Sequence, residues 1–86
     1  MKIKDGYLLR EVAGTFVVVP VGKVDFDGMI RLNETGRFLW KHLETPTTES
    51  ELADALLTEY NVDRSVAERD VAAFLAKLRD ASLLAE

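Results

Sequence analysis

The sequence predicts an α+β fold, a three-stranded antiparallel sheet followed by three helices. Three observations predict it. β-branched and aromatic residues crowd the first third of the chain, in two runs separated by Ala13-Gly14. From Asn33 onward, apolar residues recur at helical spacing behind residues suited to helix N-termini. The strand signals all precede the helical ones, so the two classes segregate instead of alternating. A small sheet set beside three helices is a winged helix-turn-helix-like arrangement.

The elements follow in order. Tyr7-Leu8-Leu9-Arg10-Glu11-Val12 is the first strand candidate. Ala13-Gly14 is a two-residue turn signal, with Gly14 free to take a positive φ. Thr15-Phe16-Val17-Val18-Val19-Pro20 is the second strand. Pro20 lacks the amide donor a ladder needs, so the strand ends there or lies at an edge. Val21 to Asp27 reads as a connecting loop, with a turn at Asp25-Phe26-Asp27-Gly28. Met29-Ile30-Arg31-Leu32 is the third strand, with Ile30 and Leu32 on one face and Met29 and Arg31 on the other.

Asn33 then caps a first helix, Glu34 to Leu43, whose apolar face is Phe38, Leu39 and Leu43 with Trp40 beside them. Gly36 inside that helix costs about 1 kcal/mol relative to alanine, which marks a close backbone approach, expected against the sheet. Thr45-Pro46-Thr47 breaks the chain. Thr48 and Glu51 form a capping box for a second helix running to about Tyr60, with Leu52, Ala53, Leu56, Leu57 and Tyr60 as its stripe. Asn61 can end it in the left-handed conformation. A third helix begins near Asp63 or Ser65, where Ser65 and Glu68 suggest a second capping box, and lasts to about Ala81. Its stripe is Val66, Val71, Phe74, Leu75 and Leu78, and Leu83-Leu84 can dock back on the core.

The chain has 86 residues and a mass of 9.6 kDa, which predicts a single domain spanning residues 1–86. Hydrophobic residues make up 48% and charged residues 30%, a globular balance. No cysteine is present, so disulfides and thiolate metal sites are excluded. His42 is the one histidine, which excludes a multi-histidine metal site within one chain. No apolar run approaches the ~20 residues that span a bilayer, and Met1 to Asp5 leads into a strand pattern instead of an apolar signal core. The expected compartment is the cytoplasm, with no membrane partner.

Net charge is −4, unevenly spread. Residues 1–43 are net +2, residues 44–62 are net −5 with no base, and residues 63–86 are net −1. A duplex-binding surface needs a stripe of Lys and Arg to neutralise phosphates, and none forms here. No nucleic-acid partner is expected. Chemistry is equally scarce. Asp25-Phe26-Asp27-Gly28 fails as a calcium loop, because the glycine stands fourth instead of sixth. The glycines at 6, 14, 22, 28 and 36 make no phosphate-binding pattern. Ser50, Ser65 and Ser82 lack a His-acid constellation, and His42 suits the C-terminal carbonyls of its helix. The expectation is a non-enzyme without cofactor or metal.

Leu32-Asn33-Glu34-Thr35-Gly36 followed by Trp40, then Glu59-Tyr60-Asn61-Val62-Asp63, then Asp70-Val71-Ala72-Ala73-Phe74-Leu75 resembles the PqqD family, named for pyrroloquinoline quinone synthesis protein D. The resemblance extends from Tyr7 to Leu84 and departs at Ala81-Ser82-Leu83-Leu84, where the family often has a glycine before the final apolar pair. It implies a peptide-recognition element. Such proteins capture the leader segment of a ribosomally made precursor peptide and present it to a modifying enzyme, often a radical S-adenosylmethionine enzyme. The leader is expected to add as a strand beside the third predicted strand, in a cleft against the third helix.

The residues suit that mechanism. Strand addition needs an unpaired edge, and selection needs side-chain pockets at alternate positions. Gly28, Met29, Ile30, Arg31 and Leu32 would supply the edge. Val66, Asp70, Ala73, Phe74 and Lys77 would supply the flank of the third helix. Asn33, Gly36 and Trp40 are expected to be structural. The alternative is a winged-helix DNA-binding regulator, which the acidic second helix opposes. The open edge also leaves room for a homodimer.

Overall fold

The computed structural model describes residues 1–21 and 30–86. The chain runs β1 (Lys2–Ile3), β2 (Tyr7–Val12), β3 (Thr15–Pro20), β4 (Ile30–Leu32), α1 (Glu34–Leu43), α2 (Glu49–Glu59), α3 (Arg64–Asp80) and β5 (Leu84–Ala85). Strands β2, β3 and β4 form an antiparallel sheet in that order, followed by the three helices, as the sequence predicts. β1 and β5 form a separate antiparallel ribbon, Lys2 opposite Ala85 and Ile3 opposite Leu84. Two-residue strands are too short to display alternation, so the sequence does not announce them. The predicted turn at Asp25 to Gly28, most of the loop before it, and Met29 lie outside the described residues.

The β2–β3 hairpin turns at Ala13 (φ 52°) and Gly14 (φ 80°). Positive φ at both central residues is the signature of a type I′ turn, whose twist matches that of the strands. Cross-strand partners share a face. Leu9, Val18 and Ile30 align across the sheet, as do Phe16 and Leu32, and all five pack on the core. Leu8, Arg10, Val17, Val19 and Arg31 therefore occupy the opposite face.

α1 spans the predicted residues, and Asn33 Oδ1 accepts from the Gly36 amide at 2.7 Å. The capping box of α2 is present: the Glu51 amide donates to Thr48 Oγ1 at 3.1 Å, and the Thr48 amide to Glu51 Oε1 at 3.0 Å. Two expected capping details differ, although Asp63 is one of the two expected starts of α3. Tyr60 leaves α2 in extended backbone, φ −120°, so Asn61 is not needed in the left-handed region. Asp63 is the N-cap of α3, which puts Ser65 inside the helix, so no second capping box forms. Glu68 instead reaches back along the helix to Arg64, which also pairs with Asp54 of α2.

α3 ends in a Schellman motif. The Ser82 amide donates to Arg79 O at 3.0 Å and the Leu83 amide to Leu78 O at 2.9 Å. Ser82 takes the left-handed conformation, φ 60°, at the point where the family often has glycine. Leu78 and Leu83 are both buried, which supplies the apolar contact that accompanies this motif. The core contains Leu39, Trp40, Leu43, Leu52, Leu56, Leu75 and Leu78, each at most 2% exposed. Fully burying such a side chain contributes about 1.5–3 kcal/mol. Among the described residues no polar or charged residue is buried. The helical pattern therefore encloses a wholly apolar interior, and every polar group available for recognition stands at its surface.

Candidate peptide-binding groove

Which backbone groups of β4 are free follows from counting out from the hairpin turn. A two-residue turn closes on a hydrogen-bonded pair, here Val12 and Thr15. Pairs alternate along an antiparallel ladder, so Arg10 and Val17 are also bonded to each other. Val17 thus directs its N–H and C=O toward β2 and away from β4. Phe16 and Val18 must be the residues that bond Leu32 and Ile30 of β4. Arg31, opposite Val17, then points both its N–H and its C=O away from the sheet. An independent contact agrees: Lys77 Nζ, on α3, donates to Arg31 O at 3.1 Å.

A groove of about 470 Å³ lies on that open side, between the β4 edge and α3. Its α3 wall is Asp70, Ala73, Phe74 and Lys77, whose i, i+3, i+4, i+7 spacing puts them on one helical face. Its opposite wall is Arg31, Leu32 and Asn33 with Thr35, Gly36 and Leu39 of α1. Phe74, Leu39 and Leu32 are buried and supply an apolar floor, while Arg31, Asp70, Ala73 and Lys77 are exposed at the rim. The α3 rim is bipolar, with Lys77 at the Arg31 end and Asp70 two turns away, about 10 Å at ~1.5 Å per residue. Asp70 also stands 3.8 Å from Arg69.

Gly36 explains the depth of the floor. A Cβ there would sit 3.2 Å from Phe74 Cε1, 3.2 Å from Asn33 Oδ1 and 3.4 Å from Leu32 Cβ. The close approach expected against the sheet is therefore mainly against α3 and the helix's own cap, with the β4 side chain Leu32 as third neighbour. Glycine lets the Phe74 ring lie flush with α1.

The predicted site residues divide. Arg31, Leu32, Asp70, Ala73, Phe74 and Lys77 come together around the groove. Ile30 is half-buried with its side chain on the core face of the sheet. Val66 is half-buried one turn beyond Asp70 on the same helical face, outside the groove lining. Gly28 and Met29 lie outside the described residues. Of the three expected structural residues, Trp40 is buried at 1% exposure, whereas Asn33 and Gly36 both cap or pack α1 and line the groove. Thr35 and Leu39 also line the groove, a role the sequence reading does not give them although their i, i+4 spacing around Gly36 puts them on one face.

Partial burial, then the neighbouring Glu34 carboxylate, pushes the Tyr60 phenol up, and its hydroxyl donates to Glu34 Oε2 at 3.3 Å. His42 is exposed in the last turn of α1, its ring 4.6 Å from that of Phe38. No group of three or more His, Cys, Asp or Glu among the described residues could hold a metal ion. No described helix is long and apolar enough to cross a membrane.

Comparison with known proteins adds three findings. The family model described as coenzyme PQQ synthesis protein D (PqqD) matches residues 15–84. The structure of TbiB1 in complex with the TbiA(beta) leader peptide is similar over 100% of both chains, at 29% identity and a TM-score of 0.78. Lasso peptide synthetase B1 complexed with its leader peptide has the same fold, at 21% identity and a TM-score of 0.78, over 99% of this chain and 96% of that one. Among curated proteins nothing matches.

Proposed function

The chain belongs to the PqqD family, and from that premise we propose that residues 1–86 form one domain that binds the leader segment of a ribosomally synthesised precursor peptide. The leader adds as a strand to the open edge of β4 and is presented to a modifying enzyme. The observation that carries this reading is the outward-facing N–H and C=O of Arg31 beside the α3 groove. Main-chain pairing at Arg31 supplies affinity, and the groove supplies selection at alternate leader positions. The leader complex of TbiB1 supports it, as a similar structure that carries such a peptide. The family resemblance favours a radical S-adenosylmethionine enzyme as the partner, and the proposed compartment is the cytoplasm.

The domain is proposed as non-catalytic. Its interior is apolar, its rim is a set of exposed side chains, and among the described residues no hydrogen bond joins Thr35, the hydroxyl in the groove, to Asp70 or Lys77. The recognition set is Gly28 to Leu32 with Val66, Asp70, Ala73, Phe74 and Lys77. A winged-helix regulator of DNA is opposed by α2, which carries Glu49, Glu51, Asp54 and Glu59 and no base. Titration with the synthetic leader of the precursor made alongside this chain tests the reading. Saturable binding that shifts the Arg31 amide in nitrogen-edited NMR is expected. Retention of random duplex DNA at ~150 mM salt, with no response to the leader, would overturn it.

A further inference from the structure

Lys77 occupies the place an incoming strand must take. Its ammonium donates to Arg31 O, the carbonyl that faces the open edge. An added strand would bring a backbone N–H to that same oxygen, and the helix-borne donor would have to leave. The carbonyl is then satisfied in both states, while the ammonium is satisfied only if the peptide or water receives it. Resting on the leader-binding reading above, the geometry points to Lys77 as a displaceable cap on the β4 edge that selects leaders carrying a carboxylate beside Arg31.

Each part follows from placement. In the free protein the cap covers the one outward carbonyl of the described β4 edge with a positive charge, a device that discourages edge-to-edge pairing with another copy. On strand addition the long, flexible lysine stem keeps the ammonium within a few bonds of its former position. The peptide side chain nearest to it is the one directed at α3 next to Arg31. An acidic residue there converts the displaced cap into an ion pair, and a basic one leaves two like charges together. Further along the same wall the surface becomes apolar, with Ala73 at the rim and Phe74 in the floor, and then the sign reverses at Asp70. The leader class is thus an extended segment with an acidic residue and an apolar one on its α3-facing side, the acid at the Lys77 end.

Selection from random short peptides displayed on their own mRNA tests this without knowing the precursor. Wild type and Lys77→Glu are used as separate baits, since both keep the core and an exposed side chain at 77. Peptides enriched on wild type are expected to share Asp or Glu at one position, two residues from an apolar one. Those enriched on Lys77→Glu are expected to carry Lys or Arg there. Lys77→Glu should bind wild-type-selected peptides about fivefold more weakly, the scale of an exposed ion pair, and exchange of the peptide acid for lysine should restore affinity. Lys77→Met should bind without preference at that position. Identical enrichment on wild type and Lys77→Glu, from peptides that do shift the Arg31 amide, overturns this inference alone. Peptides that leave the Arg31 amide unshifted, or no enriched peptide at all, overturn the leader-binding reading and this one with it.

Discussion

The sheet has two outer edges, and they are not equivalent. β2 is six residues long, and by the same ladder parity Tyr7, Leu9 and Glu11 turn their backbone groups outward. β4 offers three described residues and one outward pair, at Arg31. By unpaired backbone alone, β2 would be the better acceptor of a strand. Yet no residue of β2 is buried, and Leu8 and Val12 are 44% and 59% exposed. β4 ends at buried Leu32 and faces a helix across a groove. Free N–H and C=O groups make an edge sticky; a wall of side chains at strand-to-helix distance makes it selective. The contrast favours the shorter edge as the proposed recognition edge.

The largest expected effect destroys both edges together. Trp40 lies in the core on which the sheet packs, and Trp40→Ala should cost roughly 3–5 kcal/mol. Small domains of this kind have ΔG of unfolding of about 5–15 kcal/mol, so thermal melting should show a large loss. An unchanged melting temperature would mean that α1 does not anchor the sheet.

The next effect separates the edges. Proline removes a backbone donor. At Arg31 and at Glu11 that donor points outward, so neither substitution removes a ladder bond. Arg31→Pro should lower leader affinity at least tenfold, about 1.4 kcal/mol or more, the scale of a lost main-chain bond plus misfit at the edge. Glu11→Pro should leave it unchanged. Both variants should keep the helical signal in circular dichroism. Loss of binding in Glu11→Pro with retention in Arg31→Pro would move the site to β2.

A subtler substitution addresses the groove without touching either edge. Gly36→Ala gains about 1 kcal/mol of helix propensity and loses a comparable amount to the contacts at Phe74 and Asn33. Phe74 lines the groove, so a ring that yields to the new methyl reshapes the groove floor. Stability should therefore change by less than about 1 kcal/mol, while leader affinity falls severalfold. Unchanged affinity would show that the leader does not reach the Phe74 floor.

These residues also mark what a sequence can and cannot disclose. The core was legible because each helix carries its own periodic stripe, and the hairpin because Ala13-Gly14 sits between β-rich runs. Asn33 and Thr48 were legible as caps because a cap is a local event. Ser65 misled for the same reason: its capping-box pattern is local, and it does not decide between the two expected starts, of which Asp63 is the N-cap. The β1–β5 ribbon was hidden, since each half lacks a pattern and the halves are at opposite ends of the chain. The groove was half legible. The positions on α3 share a face by spacing, but only the fold brings Lys77 to the carbonyl of Arg31, 46 residues away in sequence. Gly36 announced a close approach, but the sheet expected as its neighbour contributes only Leu32, behind Phe74 of α3 and the Asn33 cap.

The smallest effect belongs to the ribbon, away from both edges, and serves as their control. Arg79 donates from Nε to Glu86 Oε2 at 3.0 Å and from a terminal nitrogen to Glu86 Oε1 at 2.9 Å. This fork holds the Glu86 carboxyl below its ordinary value. A carboxyl whose folded pKa is depressed stabilises the fold above its unfolded pKa. That contribution is lost as pH falls through the folded pKa, because only the ionised form favours the native state. Both groups are well exposed, so water screens the pair and the effect is small. Wild type should therefore melt slightly above Glu86→Gln at neutral pH, and the gap should close in acid, below the carboxylate range. Leader affinity should be the same for both proteins at neutral pH. A change in affinity there would mean that the ribbon and the groove are coupled through α3, whose C-terminal half carries both Arg79 and Lys77, and the two edges could no longer be treated as independent of the rest of the fold.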